Sequence, residues 1–421
     1  MKRIAALLLL FLGTVAGFAQ SPSAPAETQL SPAERSMAQA RKLIDKNPKD
    51  FEAYNAMALA LSRRARETSD VKFYAQAEET LESFDIAPDN FDGQRIHVWL
   101  LLGKHEFAAA LDAAKKLNQK MPDNAMLYGF LDDANVELGN YKDAETAAQW
   151  MLDLKPGNIP GLTRAAYLRE LYGDIEGSLE LMNMAYQSTP PGEVEDGAWI
   201  VTQMAHLNLA IGKIDEAERL SQQALAMFAG YHYALGNLAK VRIQQKRYDE
   251  AVELLTQRYH AAPHAENLYD LAQALQLAGK TDDANKAFAE FEQKSLLETN
   301  RGDNSNHELI FYYTDYAKQP EKALEVAQRE IARRHDVFTQ DSYAWALYEN
   351  GQYGEARKQI ETALAVGVRD AKMFRRAGEI ALKSGDRVAA EHYLREAADL
   401  NTVGSDQARI TLASLTQEAR Q

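Results

Sequence analysis

The stretch ELGNYKDAETAAQWMLDLKPGN, residues 137–158, decides the fold of this chain. Gly139 and Asn140 mark a tight turn, and the apolar residues that follow recur at three- and four-residue spacing, which is typical of an amphipathic helix. Pro156 ends this pattern, because proline lacks the amide hydrogen that a helix interior needs. The stretch therefore predicts the turn and the second helix of a helix–turn–helix unit.

The same unit recurs along the chain with a period of 34 residues, which is the range expected of helical repeats. Pro88, Pro122, Pro156 and Pro190 follow one another at this distance. Further pairs with the same separation are Ile214 and Tyr248, Ala217 and Ala251, Gly351 and Gly385, and Ala363 and Ala397. Three such runs are not expected by chance, and they predict a stack of helical hairpins.

The stretches ELGNYKDAETAAQWMLDLKPGN, LAIGKIDEAERLSQQAL and ENGQYGEARKQIETALAVG resemble the tetratricopeptide repeat, in which glycine, an aromatic residue, alanines and proline stand at fixed offsets. The resemblance implies an all-α, right-handed superhelix of about ten units over residues 31–404, ended by a capping helix over residues 405–421. Asp132 and Gln273 depart from the family, which usually has glycine at this place in the first helix.

The N-terminus has the pattern of a secretory signal peptide. Lys2 and Arg3 precede a short apolar run, and we expect cleavage after Ala19, which makes residues 1–19 the signal. Residues 20–30 are rich in proline, serine and alanine and should form a flexible leader. No later stretch reaches the roughly 20 apolar residues of a membrane-spanning helix. We therefore expect a soluble bacterial protein that is periplasmic or secreted, with no transmembrane segment in the mature chain.

Composition excludes several classes of function. The chain has no cysteine, so it lacks a disulfide framework, a thiol nucleophile and the lipid-acceptor cysteine of a bacterial lipoprotein. It carries 47 Lys and Arg against 61 Asp and Glu, a formal charge of −14, and loss of Lys2 and Arg3 with the signal makes this −16. This acidic balance argues against nucleic acid and anionic membranes as partners, and it also suits a simple solvated surface.

Residue patterns that carry chemistry are scarce. His260 and His264 have the spacing of helical metal ligands, but Pro263 lies between them and places them in a turn. His307 and Glu308 begin like a zinc-protease helix, although no second histidine follows four places later. The sequence also contains no phosphate-binding glycine loop and no Gly-x-Ser-x-Gly elbow. We therefore predict no enzyme activity, no metal and no cofactor.

The tripeptide Arg301-Gly302-Asp303 has the sequence of an adhesion ligand. Three common residues occur in this order often by chance, and the tripeptide lies between two helical units. Its position predicts a turn that contains Gly302, with Asp303 or Asn304 as the cap of the next helix. We prefer this structural interpretation.

In tetratricopeptide superhelices the first helix of each unit lines the concave face, and the resemblance places one set of side chains in that groove. The set comprises Trp99, Tyr167, Trp199, His206, Tyr233, Glu308, Tyr312, Tyr316, Phe338, Asp341, Trp345, Tyr348 and Glu349. Rigid rings supply contact area and charges set orientation, so we predict a groove for a peptide segment or a partner protein. The rings could instead pack between units, which a one-residue change of register would produce.

The same residues allow other functions. Aromatic rings beside carboxylates also suit sugars, so a carbohydrate- or polymer-handling accessory of the envelope is the first alternative. A hydrolase that uses Glu308 and Asp341 as an acid/base pair is the second, and assembly through the ends or the convex face is the third. The Lys and Asn clamp of chaperone-binding relatives is not reproduced, since Asn55 is followed by Leu59 at those places. The partner and the oligomeric state stay undetermined.

Overall fold

A computed structural model of the chain describes residues 30–68, 70, 72–82, 90–302 and 304–418. Within these residues all regular secondary structure is helical. The predicted signal peptide, all but the last residue of the predicted leader, Pro88, Asp303 and the last three residues of the predicted capping helix lie outside the described residues. None of the described helices is long and apolar enough to cross a membrane.

The helices follow one another with short connections. The first eleven are α1 (Pro32–Lys46), α2 (Phe51–Thr68), α3 (Lys72–Glu82), α4 (Phe91–Gly103), α5 (Phe107–Lys120), α6 (Ala125–Glu137), α7 (Tyr141–Leu154), α8 (Ile159–Leu171), α9 (Ile175–Ser188), α10 (Val194–Ala210) and α11 (Ile214–Met227). The next five are α12 (His232–Gln244), α13 (Tyr248–Ala261), α14 (Ala265–Leu277), α15 (Thr281–Leu296) and α16 (Asn306–Phe311), which continues as a π-helix (Tyr312–Tyr316). The last six are α17 (Pro320–Ile331), α18 (Val337–Glu349), α19 (Tyr353–Leu364), α20 (Ala371–Lys383), α21 (Arg387–Asp399) and α22 (Ser405–Glu418).

Neighbouring helices pair into ten hairpins across the described residues, from α2 with α3 to α20 with α21. Helix α1 packs on α2 at one end, and α22 packs on α21 at the other. This arrangement confirms the predicted all-α superhelix of about ten units with a capping helix. The capping helix is needed because the last hairpin would otherwise leave its apolar face exposed.

Alanine at one repeated position lets the two helices of each hairpin approach closely. The side chains at this position have no measurable exposure in seven of the described hairpins, at Ala110, Ala144, Ala217, Ala251, Ala323, Ala356 and Ala390. Larger residues fill the space toward the next hairpin, as Leu127 and Phe130 do against α4 and α5. The apolar core is therefore divided into clusters along the superhelix rather than gathered in a single central cluster.

Glycine ends the first helix of most hairpins because the turn needs a left-handed backbone conformation. Gly139, Gly173 and Gly279 have φ values of +75°, +79° and +73° in equivalent turns. A side chain at such an angle is strained, whereas glycine is not. The glycines seen as turn markers in the sequence therefore have the structural role that was predicted for them.

The superhelix closes on itself through these turns. The amide of His335, just before α18, donates a hydrogen bond of 2.9 Å to the carbonyl oxygen of Glu137 at the end of α6. Gly173, between α8 and α9, faces Gly367, before α20, so closely that a Cβ atom on Gly173 would lie 2.6 Å from the Gly367 oxygen. In both cases the contacting hairpins are six units apart along the chain. The superhelix thus has about six hairpins per turn, and its second turn packs on the first.

Candidate functional site

The first helices of three successive hairpins enclose a cavity of about 610 Å³ on the concave face. We call it the concave cavity. Its lining comes mainly from α6, α8 and α10 and includes Asp133, Glu137, Ile159, Arg164, Tyr167, Glu170, Asp196, Trp199 and Gln203. On each helix the lining residues are three or four positions apart, so they share one face. First helices therefore line the groove in this region.

Two of the predicted aromatic residues, Tyr167 and Trp199, line this cavity. Both side chains are half-buried, so each packs on the core with one part and leaves another part open. Trp199 contacts the apolar clusters on both sides of α10. The pKa of Tyr167 lies well above its usual range, mainly because of burial and secondly because the carboxylate of Glu137 is near. Its hydroxyl therefore stays protonated.

Charged groups in the concave cavity are paired with one another. Arg164 donates from Nε to Asp133 Oδ1 at 2.8 Å and also to the carbonyl oxygen of Gly129 at 3.1 Å. His206 of α10 lies 2.7 Å from Glu170 of α8. Because these contacts link successive first helices, they hold the cavity wall in one arrangement. His206 itself does not line the concave cavity.

A second group of charges lies where the later units approach the first turn. Arg334 pairs with Glu330 at 2.8 Å and with Glu137 at 3.5 Å, and so connects α17 to α6. Burial, with Asp336 as the second cause, raises the pKa of Glu137 to about 7. Burial, followed by the carboxylate of Glu266, raises the pKa of Glu308 to about 8. Both carboxylic acids thus lie in surroundings where ionisation is costly.

Tyr312 and Tyr316 pack between units rather than lining an open groove. Both are half-buried against the core cluster of α13 to α17. The ring of Tyr316 lies 4.4 Å from that of Phe288, and the ring of Tyr312 lies 5.5 Å from it. The intervening residues form a π-helix, a conformation that the sequence pattern did not predict. Two interpretations were open for these rings, and in the structure they pack between units.

Trp345 and Asp341 lie in the core of the last units, which corrects their assignment to an open surface. Trp345 is 4% exposed, with its ring stacked on Tyr348 at 4.6 Å and its Nε1 donating to Asp315 at 2.9 Å. Asp341 is 1% exposed and accepts a hydrogen bond of 2.8 Å from Nε of Arg376. The reason is the position of each residue around its helix, because both side chains contact residues of a neighbouring hairpin instead of facing the concave side.

The other predicted residues are spread over the superhelix. Trp99 packs against the cluster of α4 to α6, and Tyr233 lies against His232 with ring centres 3.9 Å apart. Phe338 is exposed at the start of α18, and Glu349 is half-buried at its end. The structure therefore places two of the predicted residues, Tyr167 and Trp199, in one cavity and leaves the others, including His206, outside it.

Sequence reasoning missed two arginines that link adjacent first helices, Arg164 and Arg376. Each pairs with an acidic residue about one repeat earlier, Arg164 with Asp133 and Arg376 with Asp341, at sequence separations of 31 and 35. Opposite charges at a separation near the repeat period would have been a usable signal, since such residues face each other across adjacent first helices. Among the described residues, no group of three or more His, Asp or Glu is placed to hold a metal ion.

These features define the class of protein, an α-helical repeat superhelix in which first helices line a cavity. Tetratricopeptide repeat models match residues 208–266 and residues 344–404. The chain is therefore a tetratricopeptide repeat protein, and such repeats generally serve as scaffolds for protein interactions.

Solved structures of helical repeat proteins are similar to the chain at low sequence identity. Human IFIT1, in a dimer with m7Gppp-AAAA, is 15% identical over 87% of this chain and 85% of its own, with a TM-score of 0.51. TTC0263, a tetratricopeptide repeat protein of Thermus thermophilus, is 20% identical over 44% of this chain and 99% of its own, with a TM-score of 0.40. No curated protein sequence matches the chain. At these identities the likeness concerns the fold alone.

Proposed function

We propose that this protein is a non-catalytic interaction scaffold of the bacterial cell envelope that binds an extended peptide segment of a partner protein in the concave cavity. The observation that carries the proposal is the position of Tyr167 and Trp199, two half-buried rings on one wall of a cavity of about 610 Å³. Half-buried rings keep apolar area available for a ligand while the core fixes their orientation, which lowers the entropy cost of binding.

The charges around the rings support recognition of a polypeptide. Arg164, Asp133 and Glu170 are held by hydrogen bonds within the cavity wall, so they offer fixed positions for the amides and side chains of a bound segment. Fixed polar groups around an apolar centre are the usual arrangement of specific binding sites. The packed turns of the superhelix restrict access to its concave side. An extended segment is therefore a better ligand than a folded domain.

The envelope location is part of the proposal and rests on the signal sequence at residues 1–19. Fractionation of cells that produce the full chain tests it. We expect a mature form, shortened by the signal, in the periplasmic or secreted fraction. A full-length product confined to the cytoplasm would overturn this part of the proposal without affecting the binding site.

Site-specific crosslinking tests the binding site. A photoreactive residue in place of Gln203, which lines the concave cavity, should capture a partner protein in cells. Capture should be lost when Trp199→Ala is added and kept when Trp150→Ala is added. Trp150 is a suitable control because it is 48% exposed and lies on α7, a second helix that does not line the cavity. Equal capture in both variants would contradict binding in the concave cavity.

A carbohydrate-handling accessory is the alternative that the same rings allow, since Trp199 lies in the cavity with the carboxylates of Glu170 and Asp196. Titration of envelope glycans by calorimetry separates the two. Glycan binding that is lost on Trp199→Ala, with no protein captured from position 203, would favour the carbohydrate function. Hydrolase activity that disappears on Glu308→Gln would overturn the non-catalytic proposal.

A further inference from the structure

A second cavity lies where the two turns of the superhelix meet near the C-terminus. It has a volume of about 260 Å³. We call it the inter-turn cavity. Helices α10, α12 and α14 form one side of its wall, while the start of α20 and the connection between α21 and α22 form the other. Gln244 at the end of α12 closes one side by donating to the carbonyl oxygen of Asn401 at 3.1 Å.

Much of the lining is apolar. Leu209, Ile214, Ile243, Leu255, Leu277 and Val403 face the inter-turn cavity. Leu277 is 48% exposed and Val403 is 39% exposed, which places two of the protein's exposed large apolar side chains at one cavity. Apolar side chains that come together around an open cavity indicate a site for an apolar ligand group rather than scattered surface residues.

Two lysines supply the unbalanced charge of the cavity. Lys240 of α12 and Lys372 of α20 both line it, and neither forms an ion pair or a hydrogen bond with any described residue. Both lysines are solvent-exposed by surface area, although protein surrounds the cavity that they line. Burial has the largest effect on the pKa of Lys372 and lowers it, the carboxylate of Asp370 opposes this shift, and the cations of Arg376 and Lys240 add to it.

The acidic groups of the same cavity are already engaged. Asp270 lies near Lys372 but pairs with Arg258 at 2.5 Å, from Nη1 to Oδ2. Asp370 caps α20, because its Oδ1 accepts a hydrogen bond of 2.7 Å from the amide of Met373. Both carboxylates attract Lys372, but neither forms an ion pair or a hydrogen bond with either lysine. In a protein with a formal charge of −14, this leaves a small cationic site beside an apolar wall.

We propose that the inter-turn cavity binds a small amphipathic carboxylate, with its carboxylate between the ammonium groups of Lys240 and Lys372 and its alkyl chain against the apolar lining. A carboxylate accepts hydrogen bonds from both ammonium groups and relieves their repulsion. An alkyl chain of about six to eight carbons suits a cavity of this size, and each methylene it buries raises affinity about fourfold.

Such a ligand contacts both turns of the superhelix at once. It therefore stabilises the contact between α12 and the connection at residues 400–404. Hydrogen exchange gives a readout of this effect, because amides of residues 402–404 should exchange more slowly when the cavity is filled. The site is separate from the concave cavity, so its occupation does not depend on the proposed scaffold function.

Calorimetry with the full chain tests the proposal, with octanoate as the probe. Octanoate should bind about fifteenfold more tightly than hexanoate, and octanol, which lacks the charge, should bind at least tenfold more weakly. The double variant Lys240→Gln/Lys372→Gln should lose at least tenfold in octanoate affinity. Lys383→Gln, which removes the same charge from the exposed end of the same helix, should leave affinity unchanged.

Several outcomes would overturn the proposal. One is a folded protein that does not bind octanoate. Another is octanol that binds as tightly as octanoate, which would remove the role of the lysines. Equal affinity in the double variant and in Lys383→Gln would place the ligand elsewhere. Binding of an acidic peptide without any binding of octanoate would mean that the inter-turn cavity binds a protein segment instead of a small carboxylate. Circular dichroism confirms that each variant is folded.

Discussion

The backbone amide of Val337 donates a hydrogen bond of 2.9 Å to the hydroxyl oxygen of Tyr141, 196 residues earlier in the chain. Tyr141 is the first residue of α7 and Val337 the first residue of α18, so this bond joins the two turns of the superhelix. Burial, followed by the carboxylate of Asp336, raises the pKa of Tyr141 and keeps its hydroxyl protonated. The amide of Val337 is one of those that a helix cannot satisfy internally.

Tyr141→Phe should destabilise the protein by about 1 kcal/mol, because the amide of Val337 loses its acceptor in a buried place. Tyr248→Phe is the matched control, since Tyr248 holds the equivalent first position of α13. We expect its effect to stay within a few tenths of 1 kcal/mol. Chemical denaturation of both variants measures the difference. Equal losses in the two variants would show that the bond between the turns contributes nothing.

Gly173→Ala should open the superhelix as well as destabilise it. The new Cβ atom would lie 2.6 Å from the carbonyl oxygen of Gly367, so the second turn must move away. Gly279→Ala carries the same backbone strain, about 1–2 kcal/mol, but has no atom within 4 Å of its new Cβ. Small-angle scattering should show a larger radius of gyration for Gly173→Ala alone. The same radius in both variants would argue against packed turns in solution.

Asp341→Asn should cost about 3–5 kcal/mol, because it leaves the guanidinium of Arg376 buried without a counter-charge. The double variant Asp341→Leu/Arg376→Met should lose less than the sum of its single changes, since it removes both charges together. Asp406→Asn, in the exposed pair with Arg409, serves as the control and should cost less than about 1 kcal/mol. Additive losses at positions 341 and 376 would contradict a coupled pair.

Glu308 predicts a pH dependence of stability. Its pKa rises from 4.5 to about 8 in the folded protein, so the folded state holds this proton more tightly than the unfolded chain. The stabilising contribution is complete below about pH 4.5 and is lost as the pH rises through about 8. Glu308→Gln cannot ionise and should therefore match the parent protein at pH 5 and exceed its melting temperature at pH 9.

The control for this experiment is Glu253→Gln, an exposed change on α13. Its effect on melting temperature should be the same at pH 5 and pH 9. Thermal unfolding followed by circular dichroism gives both comparisons. A Glu308→Gln curve parallel to that of the parent protein across this range would mean that the carboxylic acid is hydrated in the folded state.

The hairpins could be predicted from the sequence because they depend on local signals. The period of 34 residues, the turn glycines and the buried alanines each depend on neighbours within one unit. Tyr167 and Trp199 could be placed for the same reason, since their first-helix positions determine which face they occupy. These are the parts of the fold and of the site for which one repeat contains the necessary information.

Closure of the superhelix could not be predicted in this way. It depends on small rotations between hairpins that add up over six units, and no single repeat encodes their sum. The inter-turn cavity exists only because of this closure, which explains why Lys240 was not recognised as a candidate. Asp341 and Trp345 were misplaced for a simpler reason. A shift of one or two positions along a helix decides whether a side chain faces the concave side or the next hairpin.

Self-contact between turns changes how this chain should fold. An open solenoid unfolds progressively from its ends, because each repeat depends only on its neighbours. Here the hydrogen bonds from His335 to Glu137 and from Val337 to Tyr141 connect segments nearly 200 residues apart. The early hairpins thus reach full stability only after the late ones have been synthesised. Folding becomes more cooperative and slower than the local contacts of a helical repeat would allow.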